Sequence, residues 1–419
     1  MADKQKFFEV LKPGINIDFI GKQKLWIGVS LFLVLLSVAM LPINAYVIKS
    51  RGQMLNWGVD FKGGTELVVH FSRPVEAGAI RSAMESAGME NADVVRYGSV
   101  SDGEGKSYMI RLGSVSILSA SQTKKLESSL AKVGDASLRK LETSEGGDKI
   151  YVRFDKSLDP EILRKAMLAA GTETTQAQSF GPPGDYTYEV TLIGLESEIR
   201  KVLDSKLGAG AVTEIPQVSS VGAKAGKQLQ VDGLRALFGS ILLIVIYVAF
   251  RFDFRYGPGT IVALLHDAFL TVGAFALTYK EFSLTTLAAI LTIIGLSMND
   301  TIVVFDRIRE NAAKYRDRKF DKVVNLAINE TLSRTVLTSA TVFFVTLAMN
   351  VFGTGVIQDF AFAMNVGVIV GTYSSIFIAS PILIWLNDKF LAAQKRHSSR
   401  PERAVRKPVR RDDEEAAET

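Results

Sequence analysis

The sequence predicts an α-helical membrane protein of six transmembrane helices, with α+β domains of ferredoxin-like order outside the bilayer. Three observations predict it. Six apolar runs are long enough to cross a hydrocarbon core of ~30 Å. The Lys and Arg residues gather in alternate loops. The long polar stretch between the first two runs repeats itself as mixed strands and helices.

The chain has 419 residues, 47% of them hydrophobic, a net charge of +5 and no cysteine. The missing cysteines exclude a disulfide framework and any Cys-ligated metal. The small positive charge sits in local clusters, so it bears on topology and not on nucleic acid, and no nucleic-acid partner is expected. The first apolar run is too long for a cleavable signal and has no small-residue cleavage site after it.

After a short arm (1–24), the first span covers 25–48, where the charge-free run Leu25–Ile48 lies. Five further runs follow within 231–388: Leu234–Phe250, Pro258–Tyr279, Ser283–Phe305, Ser333–Phe352 and Phe360–Leu386. Pro381 should loosen the last of them, since it lacks an N–H. The arm holds Lys4, Lys6, Lys12, Lys22 and Lys24, and the loop after the second span holds Arg251 and Arg255. The loop after the fourth holds seven cations from Arg307 to Lys322, and the tail (389–419) holds nine. The loop after the third span has only Lys280, and that after the fifth has none. The positive-inside rule then puts both termini in the cytoplasm and the 49–230 region on the far side. The tail, basic then acidic, reads as disordered, with affinity for anionic membrane lipid.

Within 49–230 the segment Glu66–Phe71 matches Lys149–Phe154, and Ile80–Gly88 matches Leu163–Gly171, both at an offset of 83. Tyr97-Gly98 matches Phe180-Gly181 at the same offset, and Tyr108–Leu112 matches Tyr188–Leu192 after a loop three residues shorter. Each copy reads strand, helix, strand, strand, helix, strand, the order of a ferredoxin-like unit. The reading is two units in tandem, about 64–144 and 148–217, within domains 49–144 and 145–230. Helical spacing puts Ile80, Ala83, Met84 and Ala87 on one face, with Leu163, Ala166, Met167 and Ala170 as their counterparts. These are core positions. No catalytic cluster, metal-ligand set or phosphate loop is legible, so no enzymatic activity, metal or cofactor is expected.

The costly residues lie in the spans. Asp300 sits in the fourth, flanked by Asn299 and Thr301. An ionised Asp near the centre of a membrane helix costs about 2.5–3.5 kcal/mol on insertion scales. Arg334 near the cytoplasmic start of the fifth span comes to a similar depth, with Thr331, Thr338 and Thr341 on its face. The pair reads as a proton-coupling switch or as a static bridge between two helices. His266 and Asp267 in the third span belong to the same path or fix helix packing by a hydrogen bond. Gly367 and Gly371 in the sixth are spaced for close helix contact.

Five stretches carry a family resemblance. "LSMNDTIVVFDRIREN" in the fourth span resembles the motif of the SecF family of protein-export membrane proteins. So do "WGVDFKGGTELVVHF" after the first span, "RFDFRYGPGTIVALLHD" after the second, "LSRTVLTSATVFFV" in the fifth and "GVIQDFAFAMNVGVIVGTYSSIFIASP" in the sixth. The resemblance implies half of a transporter of the resistance-nodulation-division superfamily, completed by SecD, a second six-span protein. It implies assistance to the SecYEG channel and the SecA ATPase in moving unfolded preproteins across the bacterial inner membrane, driven by the proton-motive force. YajC and YidC are further implied partners. The family's acid and arginine fall on Asp300 and Arg334, and its cytoplasmic boundary motif on Asp306 and Arg307. The second extramembrane unit departs from the family's single small domain. Two other readings stay open: half of an exporter of small molecules or lipids, and a purely structural subunit that stabilises SecD.

Overall fold

The structure, a computed structural model, describes residues 16–49, 51–89, 92–97, 105–113, 120–144, 149–172, 174–182, 184–192, 195–252 and 255–398. The tail beyond 398 and most of the N-terminal arm therefore lie outside the described residues.

The first span is built of a 3-10 turn at Ile20–Lys22, helix α1 (Gln23–Pro42) and a π turn at Ile43–Val47. The chain then leaves the bundle through strand β1 (Asn56–Trp57), the one-turn helix α2 (Val59–Lys62) and strand β2 (Gly64–Phe71). Outside the bundle follow α3 (Ala77–Ser86), β3 (Asp93–Arg96), β4 (Ser107–Leu112), α4 (Ala120–Ser129), β5 (Lys132–Val133), β6 (Ala136–Thr143) and β7 (Lys149–Phe154). Next come α5 (Pro160–Ala169), β8 (Thr174–Phe180), β9 (Thr187–Leu192), α6 (Leu195–Leu207) and β10 (Val212–Val221). The remaining spans are α7 (Ala223–Arg251), α8 (Gly257–Thr278), α9 (Leu284–Lys314) and α10 (Phe320–Phe352), then α11 (Gly355–Ser374) with its continuation α12 (Ser380–Ser398). Between α8 and α9 the two-residue strand β11 (Glu281–Phe282) pairs in parallel with β1.

Among the described residues, six helical segments are thus long and apolar enough to cross a membrane. Helices α7 and α10 begin well before their apolar runs, because their polar first turns have partners of their own. The start of α7 packs on α2, so closely that a Cβ on Gly226 would sit 2.9 Å from the Gly63 nitrogen. Helices α8, α9 and α11 form the interior of the bundle, and α1, α7 and α10 flank it. The flanking helices expose Leu31, Phe32, Leu35, Phe238, Leu242, Leu243, Phe344 and Val345, the composition lipid requires. In the last span a π turn at Ser375–Ala379 precedes Pro381. Proline offers no N–H to the preceding turn, and the helix widens there, with Ser380 Oγ donating to Ser375 O at 3.0 Å.

The outer units are nested, whereas the sequence offset suggested a tandem. One sheet has the order β10-β2-β4-β3 and the other β5-β6-β7-β9-β8. In the first, β10 returns after the whole second copy to lie antiparallel to β2, and α6 packs on α3. The second unit therefore occupies about 120–192, inserted into the first. Its closing helix and strand, α4 and β6, precede β7 instead of following β9, a circular permutation of the same fold. The physical cause is locality. Strands β6 and β7 are sequence neighbours and pair as an antiparallel hairpin, while α6 and β10 are left to close the unit that β2 began.

The two cores keep their equivalence. Leu67, Val69, Phe71, Ile80 and Met84 are buried in one, and Ile150, Val152, Phe154, Leu163 and Met167 in the other. Each copy also ties its tyrosine to the equivalent loop, with opposite hydrogen-bond roles. Tyr108 Oη donates to Val75 O at 2.5 Å, and Tyr188 Oη accepts from Leu158 N at 2.7 Å. Each ring stands edge-on to the phenylalanine ending the first strand, Phe71 or Phe154.

Candidate functional site

Helices α9, α10 and α11 meet around a cavity of about 260 Å³, lined among others by Ser297, Asn299, Asp300, Thr338, Ser339, Thr341 and Thr372. The close approach of α11 to α9 depends on two glycines. A Cβ on Gly367 would fall 2.2 Å from Ile293 Cδ1, and one on Gly371 3.0 Å from Ser297 Cβ. The spacing of these glycines, read from sequence as a contact surface, is used that way.

Asp300 is 8% exposed. Its Oδ2 accepts from Ser339 Oγ at 3.3 Å, and Thr372 Oγ1 lies 2.7 Å from the same serine. A ladder of hydroxyls thus runs from α11 through α10 to the carboxylate on α9. Thr301 turns inward and donates to Ser297 O at 3.0 Å. Asn299 is exposed on the cavity's rim. The side chain of Arg334 is exposed, and among the described ion pairs none joins it to Asp300. The reason is helical geometry. Ser339, which faces Asp300, lies five positions along α10 from Arg334, about 7.5 Å at 1.5 Å per residue. Arg334 shares the helix face of the cavity-lining Thr338 and Thr341, but sits more than a turn nearer the charged end. The static bridge considered from sequence is therefore not formed in this conformation. Thr338 and Thr341 line the cavity, while Thr331 is buried and donates to Ala327 O at 2.9 Å.

His266 and Asp267 lie one helix further in. Asp267 is fully buried, and His266 is 7% exposed. His266 Nδ1 is 3.0 Å from Asp267 Oδ1. Asp267 Oδ2 accepts from Ser297 Oγ at 2.5 Å and from Ser374 Oγ at 2.8 Å. The structure thus brings the pair next to the cavity, with Ser297, one turn from Asp300 on the same helix, as the shared wall. Ser297, Ser339, Thr372 and Ser374 were not singled out from sequence. Hydroxyls are common in membrane helices, and only the packing selects these four.

Asp306 and Arg307 tie α9 to its neighbours at its charged end. Asp306 Oδ1 accepts from Arg251 on α7 at 3.2 Å and from Arg309 at 2.8 Å. Arg307 reaches Glu330 on α10 and Glu310, each at 2.6 Å. Among the described residues no group of His, Cys, Asp and Glu could hold a metal ion.

At the opposite end the bundle carries the first outer unit. Arg111 on β4 contacts Glu281 on β11, Glu66 on β2 at 2.9 Å and Asp93 on β3 at 3.4 Å. Burial pushes the Glu281 carboxyl up to about 8, against the pull of Arg111, and Glu66, Asp359 and Asp60 add to the rise. Tyr97, just past β3, packs on Gly355 at the start of α11, and Lys280 pairs with Asp359 at 2.9 Å.

Comparison with known proteins assigns these features to a family. Residues 202–389 match the profile described as protein export membrane protein SecD/SecF, C-terminal, and residues 55–75 match the SecD/SecF GG motif. The chain is 34% identical over 388 residues to the protein translocase subunit SecF of Koribacter versatilis, covering 88% of this chain and 91% of that one. It is 32% identical to that of Calditerrivibrio nitroreducens, over 90% of this chain and 96% of that one. The SecF of Rickettsia rickettsii is 40% identical over 253 residues, which cover 58% of this chain and 81% of the relative. In structure the chain is similar to SecDF from Thermus thermophilus, a translocon-associated membrane protein, with a TM-score of 0.58 and 26% identity. That match takes in 90% of this chain but 39% of the solved one. On these grounds the chain belongs to the protein translocase subunit SecF family.

Proposed function

We propose that this chain is the SecF half of a SecDF-type complex, and that it couples proton movement to polypeptide export. The carrying observation is Asp300. It is a buried carboxylate in a membrane helix, it faces a cavity, it accepts from the Ser339 hydroxyl, and among the described residues no ion pair neutralises it. A fixed structural acid would have its charge matched, because an unpaired buried charge is strongly unfavourable. A carboxylate that takes and gives up a proton needs a place where both forms are tolerated, and a hydroxyl ladder beside a cavity provides one. Inward movement of one proton across 100 mV releases ~2.3 kcal/mol from the electrical term alone, which shifts a two-state equilibrium roughly fifty-fold.

The partner in this reading is SecD, a second six-span half. Six spans make half of the related twelve-span architecture, and this chain matches 39% of a solved SecDF. Arg334 serves the cycle by shifting along the helix axis toward Asp300 in another conformation. The setting is the bacterial inner membrane, termini in the cytoplasm and outer units in the periplasm, beside SecYEG and its associates YajC and YidC. The test compares export of a secreted reporter in cells making wild type or Asp300→Asn at equal abundance, with and without an uncoupler. Loss of the uncoupler-sensitive part of export, with SecD assembly intact, supports the reading. Unchanged export and uncoupler response would reduce Asp300 to a structural residue.

A further inference from the structure

We propose that His266 and Asp267 form a second proton-holding site, which exchanges protons with the Asp300 cavity through the Ser297 hydroxyl. The proposal rests on the proton-coupled reading of Asp300 and extends it by one site and one route.

The first observation is unequal satisfaction. Both oxygens of Asp267 are partnered, Oδ1 by His266 and Oδ2 by Ser297 and Ser374. His266 Nε2 is buried and has no hydrogen-bond partner among the described residues. A pair retained only to hold helices together would satisfy both its members, since an unpaired buried polar atom costs about 1–3 kcal/mol. An aspartate that orients an imidazole through Nδ1–H leaves Nε2 with a free lone pair, an arrangement familiar from acid–base sites. The dyad can therefore carry one added proton on Asp267 Oδ2 or on His266 Nε2. In either case its net charge changes from −1 to zero.

The second observation is connection. Ser297 both lines the cavity and donates to Asp267. The cavity, of about 260 Å³, has room for several waters, each of which needs about 10–15 Å³ of such space. A proton leaving the Asp300 carboxyl passes to a cavity water. That water protonates Ser297 Oγ as the serine gives its own proton to Asp267 Oδ2. Asp300 becomes a carboxylate, Asp267 becomes the acid, and water and serine end unchanged.

On the far side the dyad is closed. His266 stacks on Tyr373 with ring centroids 6.1 Å apart. Tyr373 Oη donates to Trp26 O at 2.6 Å and lies 2.7 Å from Ser30 Oγ on α1. The titratable groups facing the dyad are Tyr373 from α11 and, across Ser297, Asp300 from α9. No Lys or Arg is hydrogen-bonded or ion-paired to it among the described residues.

The experiment uses the full chain co-purified with SecD in lipid. Infrared difference spectra across a pH titration count the carboxyls that gain and lose protons. Wild type is expected to show two within the membrane part. Asp300→Asn should leave one, which the Asp300→Asn, Asp267→Asn double variant removes and Asp300→Asn, His266→Gln shifts. If Asp300→Asn leaves no titrating carboxyl attributable to Asp267, the second site is overturned while Asp300 keeps its role. If only the Asp267 band titrates in wild type, the Asp300 reading fails and the second site stands. The route has its own control. Ser297→Ala and Ser374→Ala each delete one hydrogen bond to the same oxygen, but only Ser297 lines the cavity. Ser297→Ala should slow proton exchange at Asp267 roughly ten-fold or more, and Ser374→Ala should not. Equal effects of the two would overturn the relay.

Discussion

Arg111 of the first outer unit and Glu281 of the loop between α8 and α9 meet across the boundary between the extramembrane domain and the bundle. The contact is nearly dry. The Arg111 side chain is 12% exposed, with Glu66 at 6% and Glu281 at 7%. One guanidinium therefore serves carboxylates from two strands of the outer sheet and one from the membrane part. Glu281 precedes the first turn of α9, the helix that carries Asp300 roughly 25 Å further along at 1.5 Å per residue. A shift of α9 along or about its axis acts on the outer unit through this contact.

Removing the guanidinium is expected to be far worse than neutralising the acid. Arg111→Ala leaves the buried Glu66 charge without its partner and Glu281 without its donor, a change that typically costs about 3–5 kcal/mol. Glu281→Gln keeps an oxygen for Arg111 to donate to and should cost about 1 kcal/mol or less. Thermal melts of the purified complex, together with proteolysis at the junction, would rank the two. A Glu281→Gln variant as unstable as Arg111→Ala would contradict the assignment of Arg111 as the centre of the cluster.

The junction should also weaken as pH rises. Burial holds the Glu281 carboxyl up at about 8 in the docked state, and a solvated glutamate sits near about 4.3. Docking therefore binds a proton more tightly than undocking does. The stabilisation is fully present below about pH 4.3 and is lost as pH climbs through about 8. Cleavage at the junction in wild type should increase between about pH 6 and about pH 9. Glu281→Gln, which cannot ionise, should give a flat profile over the same range.

Arg334 offers a separation of stability from function. Its side chain is exposed, and it makes no ion pair with Asp300 in this conformation. Arg334→Ala should change stability by no more than about 0.5 kcal/mol, yet abolish the uncoupler-sensitive part of export if the arginine reaches Asp300 elsewhere in the cycle. A variant that exports normally would remove Arg334 from the coupling machinery.

Glycine at two positions is a matter of space. Gly226 on α7 faces the Gly63-Gly64 turn, where an added Cβ would meet the Gly63 nitrogen at 2.9 Å and the Phe61 carbonyl oxygen at 3.1 Å. Backbone atoms cannot swing aside, so Gly226→Ala should cost about 1–3 kcal/mol. Gly239, on the same helix with open space around its Cβ position, should accept alanine without loss. Melting temperatures of the two variants would make the comparison directly.

The sequence exposed what depends on local pattern and concealed what depends on long-range choice. The six spans follow from apolar run length, and the 83-residue offset correctly identified Ile80 with Leu163 and Met84 with Met167 as core pairs. The nesting was invisible, because α4–β6 and α6–β10 have the same helix-then-strand pattern. Nothing local says which of them closes which sheet. At the site, Asp300 and Asp267 announced themselves by their cost in lipid. Ser297, Ser339 and Ser374 did not, since a serine in a membrane helix can bond its own backbone, as Ser37 does to Leu33 O. The Asp300–Arg334 pairing rests in sequence on similar depth and on the threonine face that Arg334 shares. The face is right, since Thr338 and Thr341 line the cavity, but Ser339 stands opposite Asp300 and leaves Arg334 about 7.5 Å further along α10, so height and not angle parts the two residues here.

The nested arrangement makes the second outer unit removable in principle. Every strand of the first sheet comes from outside 120–192, and its core of Leu67, Val69, Ile80, Tyr108, Ile199 and Leu203 takes nothing from the insert. The junction residues Arg111, Glu281 and Tyr97 also lie outside it. Replacing 120–192 with a short Gly/Ser linker should therefore leave the chain able to fold, insert and co-purify with SecD, because lengthening or shortening a surface connection changes closure entropy only slowly. Membrane abundance and SecD co-purification would check this. Loss of both would mean that the inserted unit supports the first one through contacts its own sheet does not account for. If both are retained while export of particular substrates falls, the insert acts on the translocating polypeptide and not on the architecture.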